Sequence, residues 1–258
     1  MNIAFSRYHS LSDREDVLRL TKSMPKTSPN RSQNQLLARL SARDFGLIEP
    51  HLESVDLPLR RYLEHRNREI EDVYFLETGI ASVVANAQTA RSIEVGLIGR
   101  EGVTGCAIIT GGGRSPHDTF MQVAGSGLRM EVAPFREAIA QSATLRDVLL
   151  KHLHCYIVQT AQTAFANGRG KIEERLARWL LMANDRLDGE EAPLTHEFLA
   201  MMLGVRRPGV TMALKLLEQR GLIDTQRGVI VILDRRGLEE HAGAFYGVPE
   251  GEWRRMFP

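Results

Sequence analysis

The apolar positions of this 258-residue chain change rhythm along its length. Leu36, Leu37, Leu40 and Phe45 recur at helical spacing and predict a helix over Gln35 to Phe45. From Val55 to Val132 the pattern breaks into short apolar runs: Val73–Leu76, Ile80–Ala85, Ile93–Ile98, Phe120–Val123 and Leu128–Val132. Ten of the chain's 22 glycines punctuate that stretch, at 79, 96, 99, 102, 105, 111, 112, 113, 125 and 127. Short runs broken by glycine turns predict an antiparallel roll or barrel.

After Pro134 the helical period returns. Phe135 to Ala166 has no glycine and reads as one helix, broken at Asn167-Gly168-Arg169-Gly170, where two glycines offer a C-cap and a hinge. Leu149, Leu153, Tyr156, Thr160 and Thr163 alternate steps of four and three, the spacing of a seam. Periodicity leaves open whether that seam faces the chain's own barrel or a second copy. A second helix, Lys171 to Arg186, gathers Ile172, Leu176, Trp179, Leu180 and Ala183 on one face. A polar loop, Asp188-Gly189-Glu190-Glu191, leads to Pro193.

Leu194 to Asp234 is the most informative segment. Thr195 stands as an N-cap, with Leu194 and Leu199 placed as a hydrophobic staple around it. A short helix runs to about Leu203, and Gly204 follows where a tight turn needs positive φ. A second helix starts near Arg207, with Pro208 in its first turn and Val210, Leu214 and Leu217 inward. Small Ala200, turn Gly204 and apolar Val210 satisfy the packing demands of a helix-turn-helix. The two β runs around Gly228, Asp224 to Ile232, read as a wing.

Composition adds limits. The chain is 43% hydrophobic and 25% charged with a net charge of +1, so a nucleic-acid surface must be local. One exists: between Gly204 and Gly228, Arg206, Arg207, Lys215, Arg220 and Arg227 stand against Glu218 and Asp224, a balance of 5 − 2 = +3. Two cysteines, Cys106 and Cys155, exclude a disulfide framework and a four-cysteine cluster on one chain and suit a reducing cytosol. The absence of a long apolar run predicts no membrane span, and Met1 to Asn34 lacks a signal-peptide core. That stretch reads as a disordered extension with a short helix at Asp13–Leu20, and Met24 is an alternative start.

Enzyme signatures are missing. Residues 55–132 hold only His65 and His117, with no His-x-His pair, and there is no Gly-x-Ser-x-Gly and no P-loop. His152, His154 and Cys155 read as helix-surface and interface residues rather than a metal site, and Cys106 as a small buried hydrophobe. No enzyme activity, cofactor or metal is expected. A winged helix used only for protein contact remains the rival reading.

In this order the roll, long helix, second helix and winged helix-turn-helix resemble the Crp–Fnr superfamily of bacterial transcription regulators, over roughly Gln35 to Leu238. The most specific stretches are Glu173-Glu174-Arg175-Leu176-Ala177-Arg178-Trp179-Leu180-Leu181-Met182, Leu194-Thr195-His196-Glu197 and Arg206-Arg207-Pro208-Gly209-Val210-Thr211. The resemblance implies an α+β fold: an N-terminal antiparallel β-roll like a cyclic-nucleotide-binding domain, a long dimerisation helix and a C-terminal winged helix-turn-helix. It implies a cytoplasmic homodimer on a pseudo-palindromic DNA operator, with RNA polymerase and an unidentified small effector as further partners. The seam at 149–163 then becomes a dimer seam. The implied domains are 1–34 extension, 35–142 sensor roll, 143–167 dimerisation helix, 168–240 DNA-binding domain and 241–258 tail.

By the same resemblance Arg207 falls on the family's base-reading arginine, the residue type that grips guanine O6 and N7. Pro208 replaces the next base-reading acid, Met212 replaces a second base-reading arginine, and Thr211 is placed to reach a base edge. Thr195, Arg206, Lys215, Arg220 and Arg227 are candidate phosphate contacts. Cyclic-nucleotide binders of the family hold Phe-Gly-Glu and then Arg-Ser/Thr-Ala in a phosphate cassette. This chain reads Gly99-Arg100-Glu101-Gly102-Val103-Thr104-Gly105-Cys106, without the Gly-Glu, and His117-Asp118 falls near the Arg-Ser position. The candidate effector pocket is therefore Gly99, Gly102 and Gly105 as a backbone nest, with Arg114-Ser115 as a displaced pair. Cyclic AMP is not expected to bind in the usual way.

Overall fold

A computed structural model describes residues 32–86, 92–189, 191–192, 194–226 and 228–258. The short helix expected at 13–20 lies outside the described residues. The ordered roll begins slightly before the expected boundary. Asn34 is buried, its amide donating to the carbonyls of Leu76 at 2.7 Å and Gly102 at 2.8 Å while its Oδ1 accepts from the Leu37 N–H.

The helix expected over 35–45 is two pieces. A single 3₁₀ turn, Leu37–Arg39, precedes α1, Ala42–Ile48. Ser41 divides them because its extended backbone lets its hydroxyl cap α1 by accepting from the Asp44 N–H. The roll has two sheets. One holds β1 (Glu53–Leu57), β7 (Gly125–Glu131) and β3 (Asp72–Leu76), in that order. The other holds β2 (Tyr62–Glu64), β6 (Asp118–Val123), β4 (Ile80–Asn86) and β5 (Ser92–Ile98). Every pairing within them is antiparallel. All five expected apolar runs fall on strands, except that Val132, the last residue of the fifth, begins the helix that follows. Gly125 is required by close approach: a Cβ there would lie 2.2 Å from the Thr78 carbonyl oxygen. The roll's interior packs Leu57, Leu63, Leu76, Ala81, Ile98 and Met121.

A one-turn helix, α2 (Cys106–Ile109), crosses the roll's end. The expected single helix from Phe135 is instead α3 (Val132–Gln141) followed by α4 (Ala143–Arg169). Ser142 makes the break. Its backbone is extended and its hydroxyl caps α4 through the Leu145 N–H, while the same hydroxyl reaches Asp44 at 2.5 Å. At the other end α4 continues through Asn167 and Gly168 to Arg169, with Gly170 as its cap. Gly168 is not in the left-handed region and so continues the helix.

The C-terminal half contains α5 (Ile172–Asn184), α6 (His196–Leu203), α7 (Arg207–Gln219) and a three-stranded sheet. Its strand order is β8 (Glu191–Ala192), β10 (Val229–Ile232), β9 (Ile223–Gln226), so the expected two-stranded wing gains a third strand from the loop before Pro193. This half shares a continuous apolar core with the roll: Ile80, Val84, Leu97, Phe120 and Val123 pack with Leu176, Trp179, Leu199, Met202 and Leu203. Large hydrophobic contacts of this kind hold two domains in one arrangement.

The tail expected at 241–258 is structured. After α8 (Arg235–Ala242), α9 (Val248–Met256) returns to α4. His154 meets Glu252 at 2.6 Å, and Phe257 is buried in the roll-side core with Leu36, Phe45, Phe135 and Leu149. The Arg39 guanidinium donates to the Pro258 carbonyl at 2.7 Å. No described helix is long and apolar enough to cross a membrane.

Candidate nucleic-acid interface

The interface is built from α6 and α7. Thr195 caps α6 by accepting the Phe198 N–H, and Leu194 and Leu199 are both buried, as the staple requires. Gly204 ends α6 at φ +61°, the left-handed turn that lets α7 cross over α6. Arg175 of α5 donates to the Leu203 carbonyl and so satisfies one of the orphan acceptors at the end of α6. Pro208 sits in the first turn of α7, where no N–H is needed.

Along α7 the faces separate cleanly. Val210, Ala213, Leu214 and Leu217 are buried against α5 and α6. Arg207, Pro208, Met212, Lys215 and Gln219 are exposed, with Thr211 half-buried at their edge. Met212 is 68% exposed. The three candidate base readers, Arg207, Thr211 and Met212, thus share one outward face with Lys215, and Arg206 stands exposed at its N-terminal end. Thr211 Oγ donates to the Arg207 carbonyl at 3.2 Å and lies 3.4 Å from His196 Nδ1.

The remaining phosphate candidates are placed unequally. Arg220, at the far end of α7, is bonded to His241 Nδ1 at 2.8 Å. Burial and the Arg220 charge together hold the His241 imidazole below its ordinary value, so it stays a neutral acceptor for that guanidinium. Thr195 is engaged as a cap acceptor and keeps only its hydroxyl proton to give. Arg227 lies outside the described residues. Gly228, at φ +80°, makes the wing turn, and Glu218 of α7 accepts from both the N–H and the hydroxyl of Thr225, locking the wing to the helix.

The candidate effector residues do not converge. Arg114 is largely exposed and pairs with Glu69 at 3.5 Å, beside the connection between β2 and β3. Ser115 is buried, its hydroxyl donating to the His117 carbonyl at 2.8 Å. The glycines lie elsewhere and are closed. A Cβ on Gly99 would strike Arg186, one on Gly102 would strike His152, and the Gly105 N–H donates to the Glu64 carboxylate at 2.7 Å. The nest expected to hold an external anion is filled by the chain's own carboxylate.

The expected seam residues lean toward their own chain. Leu149, 1% exposed, belongs to the roll-side core, and the Tyr156 ring enters the roll beside Gly96. Leu153 packs on the edge of the same core, while Thr160 and Thr163 bond back to the carbonyls of Tyr156 and Gln159. The outward apolar stripe of α4 lies one residue further on: Leu150, 44% exposed, Ile157, 57% exposed, and exposed Ala161 and Ala164.

Three buried groups carry chemistry that sequence reasoning missed. Glu94 on β5 is buried, with the Trp179 indole N–H at 2.7 Å and the Ser82 hydroxyl at 2.5 Å. Desolvation pushes its carboxyl up to about 7 against the opposing pull of those bonds and of Arg178 and Arg186. His152 is buried rather than on the helix surface, held below its ordinary value by desolvation and bonded to the Val103 carbonyl at 3.2 Å. Tyr156 has a buried hydroxyl without a partner. Burial pushes the Cys106 thiol up to about 12, which keeps it protonated and unreactive. No group of three metal-ligating side chains occurs among the described residues.

Comparison with known proteins agrees with this geometry. Residues 174–241 match the Crp-like helix-turn-helix domain. Among solved structures, a transcriptional regulator of the Crp/Fnr family from Eubacterium rectale is 17% identical, with 81% of this chain and 98% of that one covered at a TM-score of 0.64. A CRP-family regulator from Thermus thermophilus is 20% identical over 74% and 97% at 0.62, and FixK2 from Bradyrhizobium japonicum 16% identical over 75% and 98% at 0.64. No curated protein matches the chain in sequence.

Proposed function

On the premise that this chain carries a Crp-like helix-turn-helix domain within the Crp/Fnr fold, we propose that it is a sequence-specific, DNA-binding transcription regulator of the cytoplasm. The observation that carries the reading is the outward face of α7, where Arg207, Thr211, Met212 and Lys215 are free of the core that holds Val210, Leu214 and Leu217. A helix so divided enters a major groove with its outer face. Arg207 reads guanine, Thr211 and Met212 offer methyl groups to a thymine, and Arg206 and Lys215 hold phosphates. Thr195, Arg220 and Arg227 are secondary phosphate contacts, Arg220 only after leaving His241.

The working unit is a homodimer. Leu150, Ile157, Ala161 and Ala164 recur at helical spacing on the one apolar face of α4 that its own roll leaves bare, and two such faces bury each other across a two-fold axis. The dimer presents two α7 helices to successive major grooves, so the operator is pseudo-palindromic, with half-sites about 10–10.5 base pairs apart.

The roll does not take cyclic AMP in the family's usual way. Arg114 faces water, Glu64 occupies the Gly105 amide, and the Tyr156 ring stands in the roll. The test of the whole reading is selection of bound sequences from a random DNA pool by the purified chain. A two-fold symmetric consensus is the expected result, and failure to enrich any sequence rejects it.

A further inference from the structure

Where the roll, α4, the end of α5 and α9 meet there is a cavity of about 190 Å³. None of the five residues first expected to form an effector pocket lines it, although Gly99 and Gly102 abut its Arg186 and His152. The returning α9 supplies one wall, so the cavity exists only because the C-terminal helix is seated. Its apolar surface is aromatic. Trp253 stands edge-on to His152, ring centroids 6.4 Å apart, and is backed by Phe257 at 4.2 Å. Cys155 and Tyr156 complete that side.

The charged rim is almost fully paired. Arg186 is held by Glu101 at 2.7 Å and by the Met182 carbonyl. Arg100 is held by Asp188 at 2.8 Å and by the Arg186 carbonyl. Asp185 meets Arg235 at 2.6 Å, and Glu250 caps α9 through the Gly247 N–H. That leaves Arg254, exposed at the mouth, with no ion pair or hydrogen bond among the described residues.

Size and charge together select a class of ligand. An apolar cavity of roughly 150 Å³ accepts a benzene ring, whereas drug-sized ligands occupy pockets of about 300–1,000 Å³. A cavity of about 190 Å³ therefore has room for one ring and a small substituent. One unpaired guanidinium beside an aromatic wall favours one carboxylate, which a planar fork can hold through two N–H bonds. We propose that this cavity binds a single-ring aromatic monocarboxylate, its ring against Trp253 and its carboxylate on Arg254. Because the walls come from the roll, the long helix and the C-terminal half, an occupant touches all three.

Benzoate and its uncharged isostere benzamide are the probes, titrated calorimetrically into the full chain. Benzoate binds with a dissociation constant of about 1 mM or below, and benzamide at least about tenfold more weakly. Arg254→Gln, at an exposed position that leaves the fold intact, lowers benzoate affinity about tenfold and erases the preference over benzamide. In nuclear magnetic resonance spectra benzoate moves the Trp253 indole N–H signal and leaves that of Trp179 in place. Absence of saturable benzoate binding up to about 10 mM overturns the proposal. Equal affinity for the two probes, affinity unchanged in Arg254→Gln, or an unmoved Trp253 signal each overturns it too.

Discussion

The indole N–H of Trp179 donates to a carboxyl oxygen of Glu94 at 2.7 Å, a bond that crosses from the helix leading into the DNA-binding half to a strand of the roll. Its surroundings favour the neutral acid. The Ser82 hydroxyl lies between Glu94 and Gln122 with one proton to give, so a protonated Glu94 that donates to Ser82 lets Ser82 donate to Gln122. With the folded carboxyl at about 7 and an ordinary value of 4.5, the native state binds the extra proton. The stabilisation is then complete below about pH 4.5 and is lost as pH rises to about 7. A shift of that size corresponds to a few kcal/mol, on the order of 3. Glu94→Gln removes this slope; denaturant midpoints at pH 5 and pH 7.5 that differ equally in variant and parent would refute the assignment.

Arg207→Ala costs about 1–3 kcal/mol of operator binding and relaxes base choice at one position per half-site. The measurement is the selected sequence logo with and without the substitution. An unchanged logo assigns base reading elsewhere on α7.

Lys215→Ala weakens all DNA sequences alike and lowers the salt slope by about one unit per half-site, as loss of a phosphate contact does. Titrations at several salt concentrations report it directly. Sequence-dependent weakening would make Lys215 a base reader instead.

The two faces of α4 separate two substitutions that the spacing alone would not. Ile157→Glu places like charges face to face at the proposed two-fold seam and gives monomers by light scattering, with the roll still folded because Ile157 is 57% exposed. Leu149→Ala, at a core position only 1% exposed, costs about 2–5 kcal/mol of stability. A dimer that survives Ile157→Glu at micromolar concentration moves the interface off this stripe.

Cyclic AMP and cyclic GMP fail to bind at micromolar concentration, since a cyclic phosphate needs a buried cation and a ribose needs an acceptor. Isothermal titration tests this. A dissociation constant below about 10 µM would mean that the roll opens around Tyr156.

What the sequence disclosed and what it hid follow the same physics. The five apolar runs were legible because buried strands are made of consecutive hydrophobes, and Thr195, Gly204 and Pro208 were legible because caps and turns have strict chemistry. Strands β1 and β2 were not, since Glu53 to Leu57 is largely solvent-facing and lacks an apolar run. The bare stripe of α4 stands one residue from the expected seam because α4 is apolar on two sides, Leu149 toward the roll and Leu150 toward solvent, and spacing cannot rank one face above the other. The helix break at Ser142 needed the tertiary bond to Asp44. The stretch after Gly243 is expected as a tail although Pro249 in a first turn and Glu250 at N3 mark a helix start; the anchor that seats α9 is Phe257, just beyond its end.

That anchor changes the mechanics of the molecule. The C-terminal half already shares an apolar core with the roll, Leu199, Met202 and Leu203 packing with Ile80, Val84 and Leu97. With Phe257 seated in the roll-side core and Pro258 bonded to Arg39, the same half is fastened at two places. A movement that opens the shared core must therefore also unseat Phe257 from the roll, so the C-terminus acts as a clasp across the two halves.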